Sequence, residues 1–391
     1  VSERAPGDWD RWIRTRLDVI RAAGRWRRYR SFDACGPAGD LGGVEGPVVS
    51  FASNDYLGLT AHPAVVAAAH EALDRWGAGT GGSRLITGAR PVHEQLEAEL
   101  AAWKGTDRAV LFPTGFATNL GVLATLGDRG VRIVSDSLNH ASIIDGARLA
   151  RAEVAIAPHG DLAAMEALVA EFDGPAVVVA DTVFSMDGDV LDVAAVVALC
   201  RRHGALLVLD EAHAVLGPDP SPATFEGVEV VRVGTLSKTL GSLGGFAACS
   251  DAVADLLVNA ARPSIFTTAL SPADTAAALA ALGVVRSAEG DALRATLRRH
   301  VDRLAPGHPS PIVPVVLGDE DRAVAAAATL LEEGLFVPAI RPPTVPVGSS
   351  RLRVTFSAAH TDQQVDRLLD ALGRLGVAPG FAPLAQPGLA S

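Results

Sequence analysis

The chain has 391 residues, 49% of them apolar and 20% charged, and a formal net charge of −11. That length exceeds the size at which single cores usually split, so a large and a smaller domain are expected. The acidic balance argues against a general nucleic-acid binder, and no apolar run reaches the ~18 residues of a membrane-spanning helix.

In chain order, residues 9–30 read as an amphipathic helix, with Trp9, Trp12, Ile13, Leu17 and Ile20 at helical spacing. The start is arginine-rich but has no apolar h-region, so it does not read as a secretory signal. Glu3, Asp8, Asp10 and Asp18 argue against a transit peptide. Cys35, Cys200 and Cys249 are far apart and in no metal-ligand spacing, so no metal site is expected. Buried thiols in a reducing cytoplasm are the expectation. A Gly/Pro-rich stretch at 36–47 precedes helices at 62–76 and 92–103. Apolar runs at 108–112, 131–134, 153–157, 176–181, 205–210 and 229–233 read as strands. Helical segments near 116–126, 140–150, 161–171 and 193–203 separate most of them. This alternation predicts an α/β fold, a mostly parallel sheet with helices on both faces. After residue 270 come two Ala/Leu/Arg helices over 271–304. Short strands near 312–317, 335–340 and 351–356 follow, with helices near 320–333 and 361–375. The expected division is an N-terminal helix and arm (1–60), a large domain (61–270), a smaller C-terminal α+β domain (271–377) and a disordered tail (378–391).

Only two of the 34 basic residues are lysines, Lys104 and Lys238. Arginine replaces a lysine that only supplies charge, but not one that must lose its proton to form a Schiff base. Lys104, in Ala-Trp-Lys-Gly-Thr-Asp, reads as a solvated helix end. Lys238 sits among small residues after a β-branched run. Asp210 ends the buried run Leu206–Leu209 and lies 28 residues before Lys238, so both can reach one edge of the sheet. A helix-capping acid is the plainer reading of Asp210. A helicase acidic box is set aside, because neither lysine lies in a GxxxxGK[ST] loop. A strand-end carboxylate and a lysine suit pyridoxal phosphate, which needs an amine for its aldehyde and an anion for its ring nitrogen. His213 could bond the ring hydroxyl. Thr114-Gly115-Phe116 follows a strand and opens a helix, as a phosphate site requires, although an ordinary βα turn looks the same. His140 could stack on a ring or simply cap its helix. Gly79-Thr80-Gly81-Gly82-Ser83 is not GxGxxG and reads as a flexible substrate-facing loop.

Seven motifs in order complete the picture: Ser53-Asn54-Asp55-Tyr56-Leu57-Gly58-Leu59, Gly79–Arg84, Thr114-Gly115-Phe116, Asn139-His140-Ala141-Ser142, Val183–Asp189, Asp210-Glu211-Ala212-His213 and Thr235-Leu236-Ser237-Lys238. Over residues 50–375 the chain resembles the α-oxoamine synthases, pyridoxal-phosphate enzymes of the aspartate-aminotransferase fold type. The resemblance implies a Schiff base at Lys238 and a ring stacked on His140. It places Asp210 at the pyridine nitrogen, with His213 and Ser185 near the ring oxygen. Gly115, Phe116 and Thr235 would hold the phosphate, with Thr267 and Thr268 reaching the partner's phosphate in a homodimer. Ala339–Pro346 followed by Arg351-Leu352-Arg353 resembles the branch that joins L-alanine to a pimeloyl thioester, carried by CoA or by a carrier protein. Arg27, Asn54, Arg341, Thr344 and Arg353 are the substrate-site candidates. A glycine C-acetyltransferase, another member of the family, a transaminase or a lyase of this fold is the alternative activity. A catalytically silent interaction protein is the alternative from another class. The segment between His213 and Lys238 is short and lacks the family's Gly-x-Gly-Arg-Gly run, which leaves the shape of the site entrance open.

Overall fold

The computed structural model describes residues 8–376. Helix α1, Asp8–Ala22, buries none of its residues and ends before Gly24, which has a positive φ of 62°. The predicted helix over 9–30 is therefore too long, and Arg27 lies beyond it. The Gly/Pro-rich stretch is not loop alone: Phe32–Ala34 (β1), Ala38–Leu41 (β2) and Pro47–Ser50 (β3) form an antiparallel meander. Helices Pro63–Trp76 (α2) and Pro91–Lys104 (α3) each begin on proline and stop at glycine, as backbone sterics favour.

The alternating region follows in chain order: Arg108–Phe112 (β4), Gly115–Leu126 (α4), Arg132–Asp136 (β5), Ala141–Leu149 (α5), Glu153–Ala157 (β6), Leu162–Ala170 (α6), Ala176–Asp181 (β7), Val193–His203 (α7), Leu206–Asp210 (β8), Val230–Thr235 (β9) and Gly245–Cys249 (β10). Side chains of Thr114, His140, Asp161 and Asp192 accept from backbone N–H groups to cap α4 to α7. The seven strands pair in the order β4-β10-β9-β8-β7-β5-β6. β5 to β9 run parallel, and β10 runs antiparallel to β4 and β9. Every residue of β7 is buried, as expected for a strand covered on both faces. β10 escaped the sequence reading, because Gly245-Phe246-Ala247-Ala248-Cys249 has no β-branched residue to mark it.

The chain continues through Asp251–Ala260 (α8), Arg262–Ile265 (α9), Pro272–Val285 (α10), Ala288–Leu304 (α11), Ile312–Gly318 (β11), Glu320–Glu332 (α12), Leu335–Phe336 (β12), Ala339–Ile340 (β13), Ser350–Thr355 (β14) and Asp362–Arg374 (α13). α10 packs on α2 and α3, so it belongs to the large body. β11, β14 and β13 make a three-stranded antiparallel sheet, while β12 adds in parallel to β3. The N-terminal arm and the C-terminal part thus share a sheet. One apolar core joins α2, α3 and α10 to the C-terminal part, and two more cover the two faces of the seven-stranded sheet. The tail over 378–391 lies outside the described residues. Of the cysteines, Cys200 and Cys249 are buried, but Cys35 is exposed at the meander's edge, contrary to the expectation for all three.

Candidate active site

The segments after β4, β5, β7, β8 and β9 all leave the same, carboxyl edge of the sheet, where ligands bind in such folds. Lys238 follows β9 there, and its Nζ lies 2.8 Å from Nε2 of His213. Nδ1 of His213 is 2.5 Å from the Tyr56 hydroxyl, which lies 3.1 Å from Oδ1 of Asn54. One proton order satisfies every member of this chain. Lys238 donates to His213, His213 donates to Tyr56, and Tyr56 donates to Asn54. Burial pushes the His213 imidazole well down, assisted by Lys238 and Arg353, so it is held neutral. Burial also raises the Tyr56 phenol against the pull of Arg353. Desolvation lowers Lys238; Asp210 and Asp181 oppose the shift and Arg353 adds to it. A lysine easier to deprotonate than usual is what amine chemistry needs.

Asp210 closes β8 and is buried. Its Oδ2 accepts from Asn119 Nδ2 at 2.6 Å and its Oδ1 from the Ala212 N–H at 2.9 Å. Asn119 Nδ2 also donates to Ser142 Oγ at 2.9 Å, and that oxygen lies 2.7 Å from Nδ1 of His140. His140 caps α5 and is exposed. Its N–H donates to Oδ2 of Asp181 at 2.7 Å. Desolvation of its inner edge lowers the imidazole, opposed by Asp210 and reinforced by Lys238. Asp181 is buried beside Asp210, and both facts push its carboxyl well up, toward the neutral form. Thr182 donates twice to the Asp210 carbonyl, at 2.8 and 2.9 Å. Tyr56, Asn119, Ser142, Asp181 and Thr182 escaped the sequence reading as individual site residues. Tyr56 and Ser142 stand in segments it singled out, and that position was the available signal.

Thr114 caps α4 through Ala117, leaving the Gly115 and Phe116 N–H groups free for an anion. A Cβ on Gly115 would lie 3.1 Å from Cβ of Thr235, so Thr235 sits directly over this turn. Phe116 is exposed and meets His140 edge-on, with ring centroids 6.2 Å apart. Gly245 of β10 backs the same turn, where an added Cβ would meet the Gly115 nitrogen at 2.6 Å. Gly245→Ala should therefore push the turn out of place and weaken cofactor retention about tenfold or more, the loss of one good hydrogen bond to a charged group. Titration of the apoprotein with pyridoxal phosphate, read by absorbance, checks this.

Arg353 on β14 faces the same edge. Its Nε donates to the Ser185 carbonyl at 2.6 Å, Nη1 to Thr355 Oγ1 at 3.0 Å and Nη2 to Asn54 Oδ1 at 3.2 Å. Arg341 stands further out, donating to the Gly24 carbonyl at 2.8 Å, which places it beside the exposed segment that holds Arg27. Thr344 is exposed in the following turn, its N–H on the Arg341 carbonyl. Neither Arg27 nor Thr344 contacts the Lys238 cluster. Thr267 and Thr268 lie outside it too, in a small pocket with Arg84, His93 and Pro113. The glycine-rich loop at 79–83 is pinned rather than loose: Thr80 is buried and donates to the Ala269 carbonyl at 3.0 Å.

Lys104 is not a solvated helix end. It is buried, 2.6 Å from Oε2 of Glu211 and 3.9 Å from the centre of the Trp103 ring. Glu211, one residue past β8, faces the side opposite Asp210, as successive residues of a strand do, and needs cations because it is buried. Arg232 supplies a second at 2.7 Å. Lys104→Met should cost about 3 kcal/mol by leaving this carboxylate under-compensated, read as a drop in the urea midpoint. A cavity of about 710 Å³ lies against this cluster, lined by Trp103, Glu211, Leu216, Asp219 and Arg298 among others. It opens beside the shortened segment, on the side of β8 away from Asp210.

The Asp210 carboxylate, the Lys238 amine, the His140 ring and the Gly115 turn are the groups a pyridoxal phosphate requires, and the glycines leave the cradle that an added Cβ would fill. The Aminotransferase class I and II family matches residues 46–372. The 8-amino-7-oxononanoate synthase of Burkholderia thailandensis is 47% identical over 378 residues, covering 91% of this chain and 95% of its own. A solved serine palmitoyltransferase from S. paucimobilis, with PLP and myriocin bound, is 28% identical with a TM-score of 0.85, over 96% of this chain and 100% of its own. The solved 8-amino-7-oxononanoate synthase of Francisella tularensis is 26% identical with a TM-score of 0.69, over 84% and 97%. The chain belongs to the aminotransferase class I and II family, among the 8-amino-7-oxononanoate synthases of its α-oxoamine synthase branch.

Proposed function

We propose that this protein condenses L-alanine with a pimeloyl thioester, releasing carbon dioxide and the free thiol carrier and giving 8-amino-7-oxononanoate. The observation that carries the reading is the meeting of Lys238, Asp210 and the Gly115 turn at one sheet edge, with Arg353 held beside them. Pyridoxal phosphate, when bound, supplies an aldehyde for the amine and a ring that accepts the electron pair released at Cα. Lys238 would hold it at the aldehyde, Asp210 at the ring nitrogen, His140 on the ring face, and His213 and Ser185 near the ring oxygen. Gly115, Phe116 and Thr235 would hold its phosphate.

The chain's own residues divide the remaining work. Arg353 binds the alanine carboxylate, with its guanidinium plane set by Ser185, Thr355 and Asn54. The freed Lys238 amine takes the Cα proton of alanine and returns one after decarboxylation, a role its desolvation favours. His213 orients that amine through Nε2. Asp210 acts as electrostatic support rather than as a base. Arg341, which bonds the Gly24 carbonyl, and Arg27, three residues further along that segment, are our candidates for the distal carboxylate of the pimeloyl chain. We take the working unit to be a homodimer, with Thr267 and Thr268 reaching the partner's phosphate, and the compartment to be the cytoplasm.

Purified protein supplied with L-alanine or glycine and with pimeloyl-CoA, a pimeloyl carrier protein or acetyl-CoA decides the reading. Release of free thiol and carbon dioxide with alanine and a pimeloyl thioester is the expected result. Equal use of acetyl-CoA and pimeloyl-CoA would overturn the substrate assignment. Amino-group transfer without thiol release would favour a transaminase.

A further inference from the structure

His159 stands just after β6, where no motif reading placed a function. Its Nδ1 lies 3.0 and 3.1 Å from the two oxygens of Asp136 at the end of β5, and its Nε2 2.8 Å from Oδ2 of Asp189. Both ring nitrogens face carboxylates, so both must carry protons, and the ring is an imidazolium. Burial lowers it, but bonds to Asp136 and Asp189 outweigh burial and hold it up to about 10. Its ring also stands edge-on to Phe184, 4.4 Å between centres. The Asp136 carboxylate is fully enclosed and also accepts from the Leu138 and Gly160 N–H groups at 2.8 and 2.9 Å, so it is a fixed post.

What His159 holds is the loop 184–189. The loop closes on itself, with the Phe184 N–H on the Asp189 carbonyl at 3.0 Å and the Gly188 N–H on the Phe184 carbonyl at 2.8 Å. It is wedged against the C-terminal part, where a Cβ on Gly188 would meet the Ile312 carbonyl at 2.1 Å. Arg351 reaches it through Asp187, and Arg353 donates to its Ser185 carbonyl at 2.6 Å. The imidazolium therefore joins the sheet edge to the surface against which Arg353 rests. The other buried clusters do not reach the reacting edge in this way: the Lys104–Glu211–Arg232 group faces the opposite side of β8.

We propose that His159 is a positioning residue for substrate recognition: clamped between Asp136 and Asp189, it fixes the 184–189 loop and through it the plane of the Arg353 guanidinium. The inference rests on the assignment of Arg353 to the amino-acid carboxylate. A bidentate guanidinium loses its advantage when its plane turns, so the selective cost of a loose loop falls on the carboxylate and not on the acyl thioester.

The test compares L-alanine with L-alaninamide, which lacks the carboxylate. Binding of each to the cofactor-loaded protein is followed by the cofactor's absorbance, with no acyl donor present. In His159→Gln the preference for alanine over its amide should shrink about tenfold, the scale of one weakened hydrogen bond to a charged group. The KM for the thioester should hold, and the cofactor affinity, to which this loop contributes Ser185 alone, should fall less than the preference for alanine. Asp189→Asn preserves shape and should give the same selective loss, and the double variant should be no worse than either, because the two residues act as one clamp. His159→Gln with an unchanged alanine-to-amide ratio would overturn the proposal. So would a uniform loss of cofactor, thioester and alanine binding, which marks a purely structural role. If the unmodified protein itself shows no preference for alanine over the amide, the assignment of Arg353 fails first, and that outcome is read from the unmodified protein alone.

Discussion

Lys238→Ala should abolish covalent capture of the cofactor. The unmodified protein should be yellow, and borohydride should fix one pyridoxyl group to the peptide containing Lys238. The variant should bind pyridoxal phosphate reversibly, because Asp210, His140 and the Gly115 turn remain, but borohydride should leave the protein unlabelled. Its turnover should fall by at least ~10³-fold, since the same side chain is both the nucleophile and the proton carrier. The variant should fold, because among the described residues the amine hydrogen-bonds to His213 and closes no ion pair within 4 Å, and Asp210 keeps its bonds from Asn119 and Ala212 when the amine is removed. Label on Lys104 would sink this assignment. The geometry already separates the two lysines: Lys104 is tied to Glu211 and held over Trp103, whereas Lys238 stands between His213 and the carboxylates at the sheet edge.

How far this site could be read before the structure follows from the reach of each signal. Apolar runs and caps are local, so β4 to β9 and α4 to α7 came out within a few residues. The strand ends then put Asp210, Gly115, His140 and Lys238 on one edge. What failed was non-local. Tyr56 meets His213 across 157 positions and Asn119 meets Asp210 across 91, and no periodicity links residues so far apart. β10 failed for another reason. Its first residue must lack a side chain because Gly245 backs the Gly115 turn, and none of the four that follow is β-branched. The Trp-Lys-Gly ending of α3 has the local pattern of a solvated terminus. Only the buried Glu211, on a strand distant in sequence, makes Lys104 an interior cation. The substrate arginines divide along the same line. Arg353 was identified through the family motif, and three oxygens from three separate segments orient it. Arg27 carries no such constraint in the sequence or in the fold.

Asp210→Asn is the sharpest test of the electrostatic argument, because it changes charge and almost nothing else. The carboxylate now accepts from Asn119 on one oxygen and from Ala212 on the other. An amide keeps one acceptor and turns a donor toward the second N–H, so one bond is lost while the buried shape is preserved. The heavier loss is the charge. A neutral amide cannot hold a proton on the ring nitrogen, and the ring then accepts electrons poorly. Loss of one preorganised partner of this kind costs about 10²–10³-fold in rate. Cofactor binding should weaken far less than kcat, and the absorbance of the bound cofactor should shift with the ring's protonation. Asp181→Asn is the matched control. Burial and the neighbouring Asp210 already push Asp181 toward its neutral form, so an amide there removes less charge than an amide at Asp210 does. It keeps an oxygen for the His140 N–H, and its turnover should fall by less than about tenfold, the cost of a perturbed rather than absent hydrogen bond. Equal damage from the two substitutions would show that the strand-end acids share the ring's proton between them, and that Asp210 does not carry the charge alone.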